Sequence, residues 1–551
     1  MISHLPLTSA EEAARFRELG IWKDETLTDS FRKAADRFPN KIAVIDGKRR
    51  LTYSELNTLV DNIAGNFLEL GLQQGDVVAL QSRNSVEMPL IHLACNRIGL
   101  LYMPIHDAWR ETELAHLLKI AKVKVLVLPV VYRDFNYLAM LEGIRAQLPD
   151  LQTVFTLEGT APGYRPFTDL TKPTKHPATA LDARRPDPDL PAHIMLSGGT
   201  TALSKVSRYS SNDLRAMLAM TEAGSGFAVT DVAAALAPAG TGATGYIYPI
   251  LMPLLHGATS VILERWGDPE VALQLILDNK CTYAVGIPTQ LTRLIPCLEQ
   301  RKLEKFDHFR CFINAGAPMT YETGLKIETL MGCATHTIYG STDGGCPTCT
   351  SILDPQEKRL RTVGRVAPGI ECELRDPSGK VVAQGENGEV VWRSPHKSWG
   401  YLGDDAQTAA VFTADHFYKS GDVGRFDQDG YLQIVGRIKD MILRGGRNIF
   451  PALIEDLLMK HPSILDVSVA AMPDPELGER ACAFVVLKEG AALSFADMTA
   501  FLKDQKIAIW QLPERLEIVA DLPKGAGGKV TKSALTEMVS RKLKSEGMAS
   551  T

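Results

Sequence analysis

The residues with the clearest potential for chemistry lie in a loop rich in glycine and hydroxyl side chains. This segment, residues 197–205, reads SGGTTALSK and follows an apolar stretch at residues 194–196. Glycines let a backbone approach a polyphosphate closely, and the amides, the hydroxyls and Lys205 could then donate to phosphate oxygens. The Gly-Lys-Ser/Thr ending of a Walker loop is absent. The composition therefore predicts a phosphate-binding loop of another type, with an ordinary surface loop as the alternative.

Four further segments downstream carry groups that suit a nucleotide. The segment 338–343 ends in Thr342, which could donate to an α-phosphate, and in Asp343, which could hold Mg²⁺. Asp422 follows a tight turn and could accept hydrogen bonds from ribose hydroxyls. A charged turn at 436–444 leads to a glycine pair, and the glycine-rich loop 522–530 carries Lys529. Taken one at a time, each segment could equally be a turn, a strand end or a solvated charge run.

Alternating helix and strand patterns in the first part of the chain must position these segments. Thr52 and Glu55 form a capping-box pattern at the start of a helix that runs to about Leu70, where Gly71 favours a stop. An apolar strand at 76–80, a helix at 85–98 and a strand at 123–128 continue the alternation. Such alternation predicts parallel strands joined by crossover helices, the α/β fold class.

The pattern changes in three later regions. Residues 160–191 are rich in Pro, Thr and Asp, which predicts a surface connector without elements of its own, before a second α/β block at 194–339. Short strands separated by turn signals at 362–434 predict a β-rich subdomain. After Arg437 a compact α+β pattern continues to the C-terminus and is long enough for a small separate domain.

Composition narrows the class of protein without naming its chemistry. With 551 residues the chain exceeds the usual size of a single core, so two or more domains are expected. A hydrophobic content of 45% and a net charge of −5 are ordinary for a globular enzyme and disfavour a nucleic-acid partner. We find no apolar run that could span a membrane and no signal-peptide pattern. Nine scattered cysteines fit reduced thiols, so a cytoplasmic location is expected.

In their order and positions the five segments resemble those of the adenylate-forming superfamily. This superfamily includes acyl- and aryl-CoA ligases, stand-alone aryl-acid AMP ligases, peptide-synthetase adenylation domains and luciferases. The resemblance covers essentially the whole chain. It implies a large N-terminal domain of layered α/β subdomains and a β-rich subdomain (1–438), and a small mobile C-terminal domain (439–551) with a hinge at Lys439. It also implies ATP, Mg²⁺ and a thiol acceptor such as coenzyme A, and two half-reactions that use two domain orientations.

The resemblance implies roles for individual residues. The phosphate loop would comprise Ser197, Gly198, Gly199, Thr200, Thr201 and Lys205. Tyr339 would stack on adenine beside Gly340 and Ser341, Thr342 would touch phosphate, Asp343 would hold the metal, and Asp422 and Arg437 would hold the ribose. The adenine and acyl sites would be lined by Ala315, Gly316, Ala317, Pro318, Thr241, Gly242, Gly344 and Gly345. Lys529 would bridge the acid carboxylate and the α-phosphate. Its electrostatic stabilisation would be largest in the transition state, where charge builds up.

The chain departs from the superfamily pattern at several positions. The phosphate loop has Ala202, Ser204 and Val206 where Gly, Pro and Gly are usual, and Asp343 replaces a metal-binding glutamate. The shorter carboxylate must reach about one methylene further or bind its metal through water. Neither change removes charge or hydrogen-bond donors, so an active enzyme is favoured. A nucleotide-binding protein without turnover is the alternative from a different functional class.

Two further segments limit which acid and which thiol the enzyme is expected to use. Aryl-acid AMP ligases of siderophore pathways carry a His-Asn pair whose Asn reads an ortho hydroxyl, and the matching residues here are Thr241 and Gly242. Gly242 removes that anchor for 2-hydroxybenzoates and leaves room for a broader ring or a branched acid. The pair Gly198-Gly199 nevertheless resembles the aryl-acid branch. The segment 445–451, which begins with Gly445 and Gly446, resembles the acyl-CoA ligase form, where a glycine pair lets pantetheine pass.

The sequence as a whole predicts activation of a medium-sized cyclic, aromatic or branched acid, followed by transfer to coenzyme A. An aryl-acid AMP ligase that loads a carrier protein is the first alternative. Cys346 and Cys349 form a lone CxxC, which favours free thiols over zinc, and His256 is more typical of a helix end than of a catalytic base. The oligomeric state is not determined by the sequence, which leaves a homodimer open.

Overall fold

The computed structural model describes residues 8–197, 204–301, 306–525 and 530–546. None of the helices in these ranges is long and apolar enough to cross a membrane. The α-helices are α1 (Ala10–Glu18), α2 (Leu27–Arg37), α3 (Tyr53–Glu69), α4 (Glu87–Arg97), α5 (Glu111–Ile120), α6 (Tyr137–Ile144), α7 (Thr168–Thr171), α8 (Ala178–Asp182), α9 (Ser211–Ser225), α10 (Met252–His256), α11 (Pro269–Asp278), α12 (Pro288–Arg301), α13 (Tyr321–Met331), α14 (Gln356–Arg361), α15 (Asp405–Val411), α16 (Pro451–Leu458), α17 (Phe495–Asp504) and α18 (Lys532–Ser545).

The strands group into two large sheets, two smaller ones and a short hairpin. In chain order they are β1 (Ile42–Asp46), β2 (Arg49–Thr52), β3 (Val77–Ser82), β4 (Leu101–His106), β5 (Val123–Pro129), β6 (Val131–Tyr132), β7 (Phe135–Asn136), β8 (Thr153–Leu157), β9 (Arg165–Pro166), β10 (Pro191–Ser197), β11 (Lys205–Ser210), β12 (Val232–Ala235), β13 (Thr259–Ile262), β14 (Tyr283–Gly286), β15 (Cys311–Ala315), β16 (Ala334–Ser341), β17 (Gly345–Cys349), β18 (Arg365–Val366), β19 (Glu371–Arg375), β20 (Gly388–Arg393), β21 (Tyr418–Phe426), β22 (Leu432–Arg437), β23 (Ile442–Arg444), β24 (Arg447–Ile449), β25 (Ile464–Asp474), β26 (Gly478–Leu487) and β27 (Arg515–Ile518).

The two large sheets are mainly parallel, as the alternation of helices and strands predicted. One runs in the order β18-β17-β16-β15-β14-β12-β13-β1-β2 and the other in the order β11-β10-β4-β3-β5-β8-β9. The main hydrophobic core lies between them and contains buried side chains of α3 and α4 together with those of β3, β12 and β15. Helix α3 begins where predicted, because the Thr52 hydroxyl and the Glu55 carboxylate cap its first turn reciprocally.

The connector at 160–191 was predicted to lack secondary structure, and this prediction was wrong. The segment contains the short strand β9 and the one-turn helices α7 and α8. Leu170 and Leu181 are each 1% exposed and pack into the main core. Two buried leucines are enough to hold a turn of helix in an otherwise polar segment, because tertiary packing supplies most helical stability in proteins.

The β-rich subdomain and the C-terminal domain follow the prediction. Strands β19 to β22 form an antiparallel sheet in sequence order, with hairpins whose strands are adjacent in the chain. Strands β23 to β27 form a separate sheet, and α16 and α17 pack on it around a core of their own. The chain therefore has a large N-terminal domain and a small C-terminal domain.

Candidate active site

The phosphate-loop segment connects two strands at the edge of the seven-stranded sheet. Ser197 ends β10 and Lys205 begins β11, and the two residues pair across the antiparallel ladder. Residues 198–203, which include Gly198, Gly199, Thr200 and Thr201, lie outside the described residues, as does Lys529. The Lys205 Nζ atom lies 3.2 Å from the Tyr401 hydroxyl and 4.3 Å from the centroid of its ring. An aromatic ring thus fixes the direction of this ammonium group.

The Thr342–Asp343 turn joins β16 to β17 and is held by three neighbours that the sequence did not reveal. The Ser207 hydroxyl donates to Asp343 Oδ1 at 3.2 Å, and the Tyr209 hydroxyl donates to the Thr342 carbonyl. The Ser398 N–H donates to the Asp343 carbonyl at 3.2 Å. Ser207 and Tyr209 share a face of β11 with Lys205, because every second residue of a strand points the same way. That periodicity was the signal that could have found them.

Tyr339, Asp422 and Arg437 form one hydrogen-bonded group. The Tyr339 hydroxyl donates to Asp422 Oδ2 at 2.7 Å, and Arg437 Nε donates to Asp422 Oδ1 at 2.6 Å. Burial and then the Asp422 charge raise the pKa of Tyr339 well above its usual range, so its hydroxyl remains a neutral donor. Burial lowers the pKa of Arg437, but the neighbouring acidic groups, Asp422 first among them, together raise it above its usual range. The group presents an oriented carboxylate, which suits hydroxyl donors on a ligand.

The residues predicted to line the acyl and adenine sites meet at the ends of strands. Ala315 ends β15 and pairs with Ile338, so the turn at 316–318 leaves the sheet at the edge where Tyr339 lies. Gly242 follows a 3-10 turn, with φ +113° and ψ −155°, and a Cβ atom built on it would lie 3.8 Å from Thr342 Oγ1. Residues 237–246, the stretch predicted to border the acyl pocket, are called the acyl segment; this segment and the Thr342 turn are therefore neighbours.

Gly344 and Gly345 are explained by packing against the β-rich subdomain. A Cβ atom at Gly344 would lie 2.3 Å from the Tyr418 ring, and one at Gly345 would lie 2.4 Å from His396. Each glycine therefore makes room for a neighbouring ring. Their assignment to an acid pocket stays a prediction, and so do the ligand roles of the other site residues.

The residue predicted as the hinge lies between β22, which ends the four-stranded sheet, and β23, the first strand of the C-terminal sheet. Lys439 is exposed in the 3-10 helix Ile438–Asp440, directly after Arg437 at the end of β22. Gly445 and Gly446 form the two-residue turn of the β23–β24 hairpin, with φ +53° and +78°. Positive φ at both central residues is the geometry that favours glycine in such a turn.

The chemistry of the donors near Thr342 fits Mg²⁺. Asp343 offers a carboxylate, whose oxygens are the hard ligands that Mg²⁺ prefers. Within the described ranges no group of three or more His, Cys, Asp or Glu side chains could hold a metal by itself. This arrangement fits an ion bound through one carboxylate together with substrate phosphates, which is the usual form of Mg²⁺ sites at nucleotides.

A cavity of about 560 Å³ opens beside the acyl segment. Its lining includes Pro238 of that segment, together with Ile287 and Thr289, which follow strand β14 of the nine-stranded sheet. The charged and aromatic lining residues are Arg83, Arg110, Arg133, Arg265, Arg293, Lys524, Asp107, Asp134, Glu264, Tyr132, Phe135, Tyr137 and Trp266. Cations therefore outnumber carboxylates at this opening, and Lys524 brings a residue of the C-terminal domain to its rim.

Cys346 and Cys349 lie on β17 as free thiols. The Tyr248 hydroxyl lies 3.5 Å from Cys346 Sγ, and burial raises the pKa of the Cys346 thiol to about 11. His256 is the last residue of α10 and contacts Glu222 at 2.7 Å, as expected for a residue at a helix end.

Comparison with known proteins now decides the family. Residues 31–402 match the model of the AMP-binding enzyme family, and residues 453–529 match that of the AMP-binding enzyme C-terminal domain. The chain belongs to the AMP-binding enzyme family. The predicted superfamily and enzyme class are thereby confirmed: the protein is an ATP-using, adenylate-forming ligase of acyl or aryl acids.

Relatives within the AMP-binding enzyme family match the chain over almost its full length. The medium-chain fatty-acid–CoA ligase of Escherichia coli (strain K12) is 31% identical over 535 residues, which cover 97% of this chain and 94% of the relative. The 2,3-dihydroxybenzoate-AMP ligase of Bacillus subtilis (strain 168) is 30% identical over 539 residues, 97% of each chain. Among solved structures, the anthranilate CoA ligase AuaEII in complex with anthranoyl-AMP has a TM-score of 0.86 at 23% identity, over 96% of this chain and 98% of that one. This last similarity establishes the shared fold.

Proposed function

We propose that this enzyme activates a medium-sized cyclic, aromatic or branched carboxylic acid with ATP and Mg²⁺, and then transfers the acyl group to coenzyme A. The observation that carries the choice of acceptor is the cavity beside the acyl segment, with its six cationic, three acidic and four aromatic lining side chains. In this proposal residues 1–438 form the adenylating domain, and the C-terminal domain reorients about Lys439 between the half-reactions.

The lining of the cavity matches the chemistry of a phosphorylated nucleotide. The Arg110 guanidinium carbon lies 3.9 Å from the centroid of the Phe135 ring, so a cation stacks on an aromatic ring at the rim of the cavity. Arg133 and Arg265 form no ion pair with any described residue, so their guanidinium groups remain available to phosphate oxygens. The aromatic residues offer faces on which an adenine ring can stack. Pro238 links this opening to the acyl segment.

The adenylation roles follow from the groups described above. Lys205, directed by Tyr401, would contact the phosphates, and the Asp422 carboxylate would accept from ribose hydroxyls. Asp343 would hold Mg²⁺, which when bound would neutralise phosphate charge and orient the phosphates. Thr342 would donate to the α-phosphate, and it faces Gly242 of the acyl segment. The acid would thereby be held next to the phosphorus atom that it attacks.

The decisive experiment incubates the full-length enzyme with ATP, Mg²⁺ and a panel of acids, with and without coenzyme A. Pyrophosphate release should identify the acid, and an acyl-CoA thioester should form when coenzyme A is present. AMP and pyrophosphate release without any acyl-CoA would reject coenzyme A and favour a carrier-protein phosphopantetheine, the acceptor predicted second. No pyrophosphate release with any acid would favour a nucleotide-binding protein without turnover.

Removing arginines from the cavity should affect the second half-reaction only. We expect Arg133→Ala and Arg265→Ala each to raise the KM for coenzyme A about fivefold, because each removes one exposed charge–phosphate contact of about 1 kcal/mol. The rate of acid-dependent ATP–pyrophosphate exchange should not change. Arg541→Ala is a matched control, because Arg541 is 81% exposed and lies outside the cavity lining. An unchanged KM in the double variant would contradict the assignment of the cavity.

A further inference from the structure

A segment of the β-rich subdomain, residues 394–402, contacts both halves of the candidate nucleotide site; we call it the clamp segment. His396 Nε2 lies 2.8 Å from the Cys346 carbonyl, and the Ser398 N–H donates to the Asp343 carbonyl. On the other side, the Trp399 N–H donates to the Arg208 carbonyl at 3.0 Å. Tyr401, at the end of the segment, contacts Lys205. The clamp segment therefore ties the Asp343 turn to β11.

The clamp segment is itself held by the N-terminal arm, residues 9–22. Lys397 is only 1% exposed, and its ammonium lies 3.0 Å from Glu12 Oε1 in α1. The Trp22 indole N–H donates to the Pro395 carbonyl at 2.8 Å. Phe16 and Trp22 pack against each other and against Ala216, with ring centroids 5.6 Å apart, so the arm has an apolar anchor of its own.

The Glu12–Lys397 ion pair joins the arm to the clamp segment beside the Trp22–Pro395 hydrogen bond, and it holds a buried charge. A buried ammonium group without a counterion is unfavourable, so it moves to water or shifts its surroundings when its partner is removed. Lys397 directly precedes Ser398, whose N–H holds the Asp343 carbonyl. Movement of Lys397 therefore displaces the backbone that supports Asp343. In addition, Glu12 is fixed by the capping box of α1, since its Oε2 atom accepts from the Ser9 N–H at 2.7 Å.

We propose that the N-terminal arm is a clasp that positions the ATP site, with Glu12 and Lys397 as positioning residues that act through the clamp segment on Asp343 and Lys205. Neither residue is one of the groups proposed above to contact ATP. The inference rests on the nucleotide roles proposed for Asp343 and Lys205. It does not depend on which acid or acceptor the enzyme uses.

The test is calorimetric binding of Mg·ATP to the full-length protein, without acid or acceptor. Glu12→Gln keeps the shape of the side chain and removes the carboxylate that directly contacts the Lys397 ammonium, and it should weaken Mg·ATP binding about tenfold. The double variant Glu12→Gln/Lys397→Met removes both charges, so its binding should recover to within about twofold of the original protein. Arg15→Gln is the control, because it breaks another contact of α1, the 2.9 Å ion pair with Glu371, which does not involve the clamp segment.

Melting temperatures of all variants distinguish positioning from a purely structural role. Recovery of Mg·ATP binding in the double variant, with the Arg15→Gln control unchanged, supports the clasp. If Glu12→Gln lowers the melting temperature but binds Mg·ATP as tightly as the original protein, the pair only stabilises the fold and the proposal is wrong. Equal weakening by Arg15→Gln would also overturn it. If Glu12→Gln does not fold, Glu12→Asp retracts the same charge by one methylene and should weaken binding about threefold.

Discussion

Replacing Lys529 with alanine should slow adenylate formation by about a hundred- to a thousandfold, while thioester formation from supplied acyl-AMP stays largely intact. The reason is electrostatic. The acid carboxylate must approach the α-phosphate, and both groups are anions. A lysine between them offsets their repulsion, and its contribution grows as charge builds on the phosphorus centre in the transition state. Once the acyl adenylate has formed, that repulsion no longer exists.

Two assays on the same preparations separate the half-reactions. ATP–pyrophosphate exchange reports adenylation, and a single turnover of synthetic acyl-AMP with coenzyme A reports thioester formation. Lys544→Ala is a control from the same C-terminal domain, since Lys544 is exposed in α18 and lies outside the cavity lining. It should leave both rates within about twofold, as expected for an exposed charge. Equal loss of both half-reactions in Lys529→Ala would contradict the role assigned to this lysine.

Features encoded by neighbouring residues were predicted well. The start of α3 depends on Thr52 and Glu55, which are three positions apart, and the structure shows both capping contacts. The parallel sheets follow from the alternation of helical and strand periods, which is again a local signal. The order of the five glycine-rich and polar segments identified the superfamily, because a family pattern needs only residue types at given positions.

Contacts between distant parts of the chain could not be predicted in this way. Tyr209 reaches the Thr342 carbonyl across 133 positions, and Lys397 reaches Glu12 across 385. Nothing in the local pattern around Lys397 distinguishes a buried lysine from an exposed one. The helices α7 and α8 were missed for the same reason, since the burial of one leucine in each depends on the core that it meets.

The backbone at Gly242 is a further feature that residue types alone did not reveal, and it changes what a substitution there should do. The sequence alone indicates only that Gly242 lacks the side-chain amide of the Asn in aryl-acid AMP ligases, and that the pocket is larger as a result. In the structure its φ of +113° and ψ of −155° place it in a region that glycine alone occupies readily. Crowding is not the cause, because a Cβ atom would have Thr342 Oγ1, at 3.8 Å, as its nearest neighbour. A side chain therefore meets backbone strain while space is still available.

Gly242→Asn should consequently lower kcat/KM for adenylation of every accepted acid by about ten- to a hundredfold, and it should not create activity toward 2-hydroxybenzoates. The strain of about 1–3 kcal/mol is relieved only if the peptide rotates, and rotation moves the acyl segment away from Thr342. Exchange assays over the acid panel measure the loss. Gly242→Ala has the same backbone cost without the amide, so the two variants should lose similar amounts. A Gly242→Asn enzyme that gains 2-hydroxybenzoate activity would instead show that the segment relaxes freely, and that the glycine serves only to leave space for the acid.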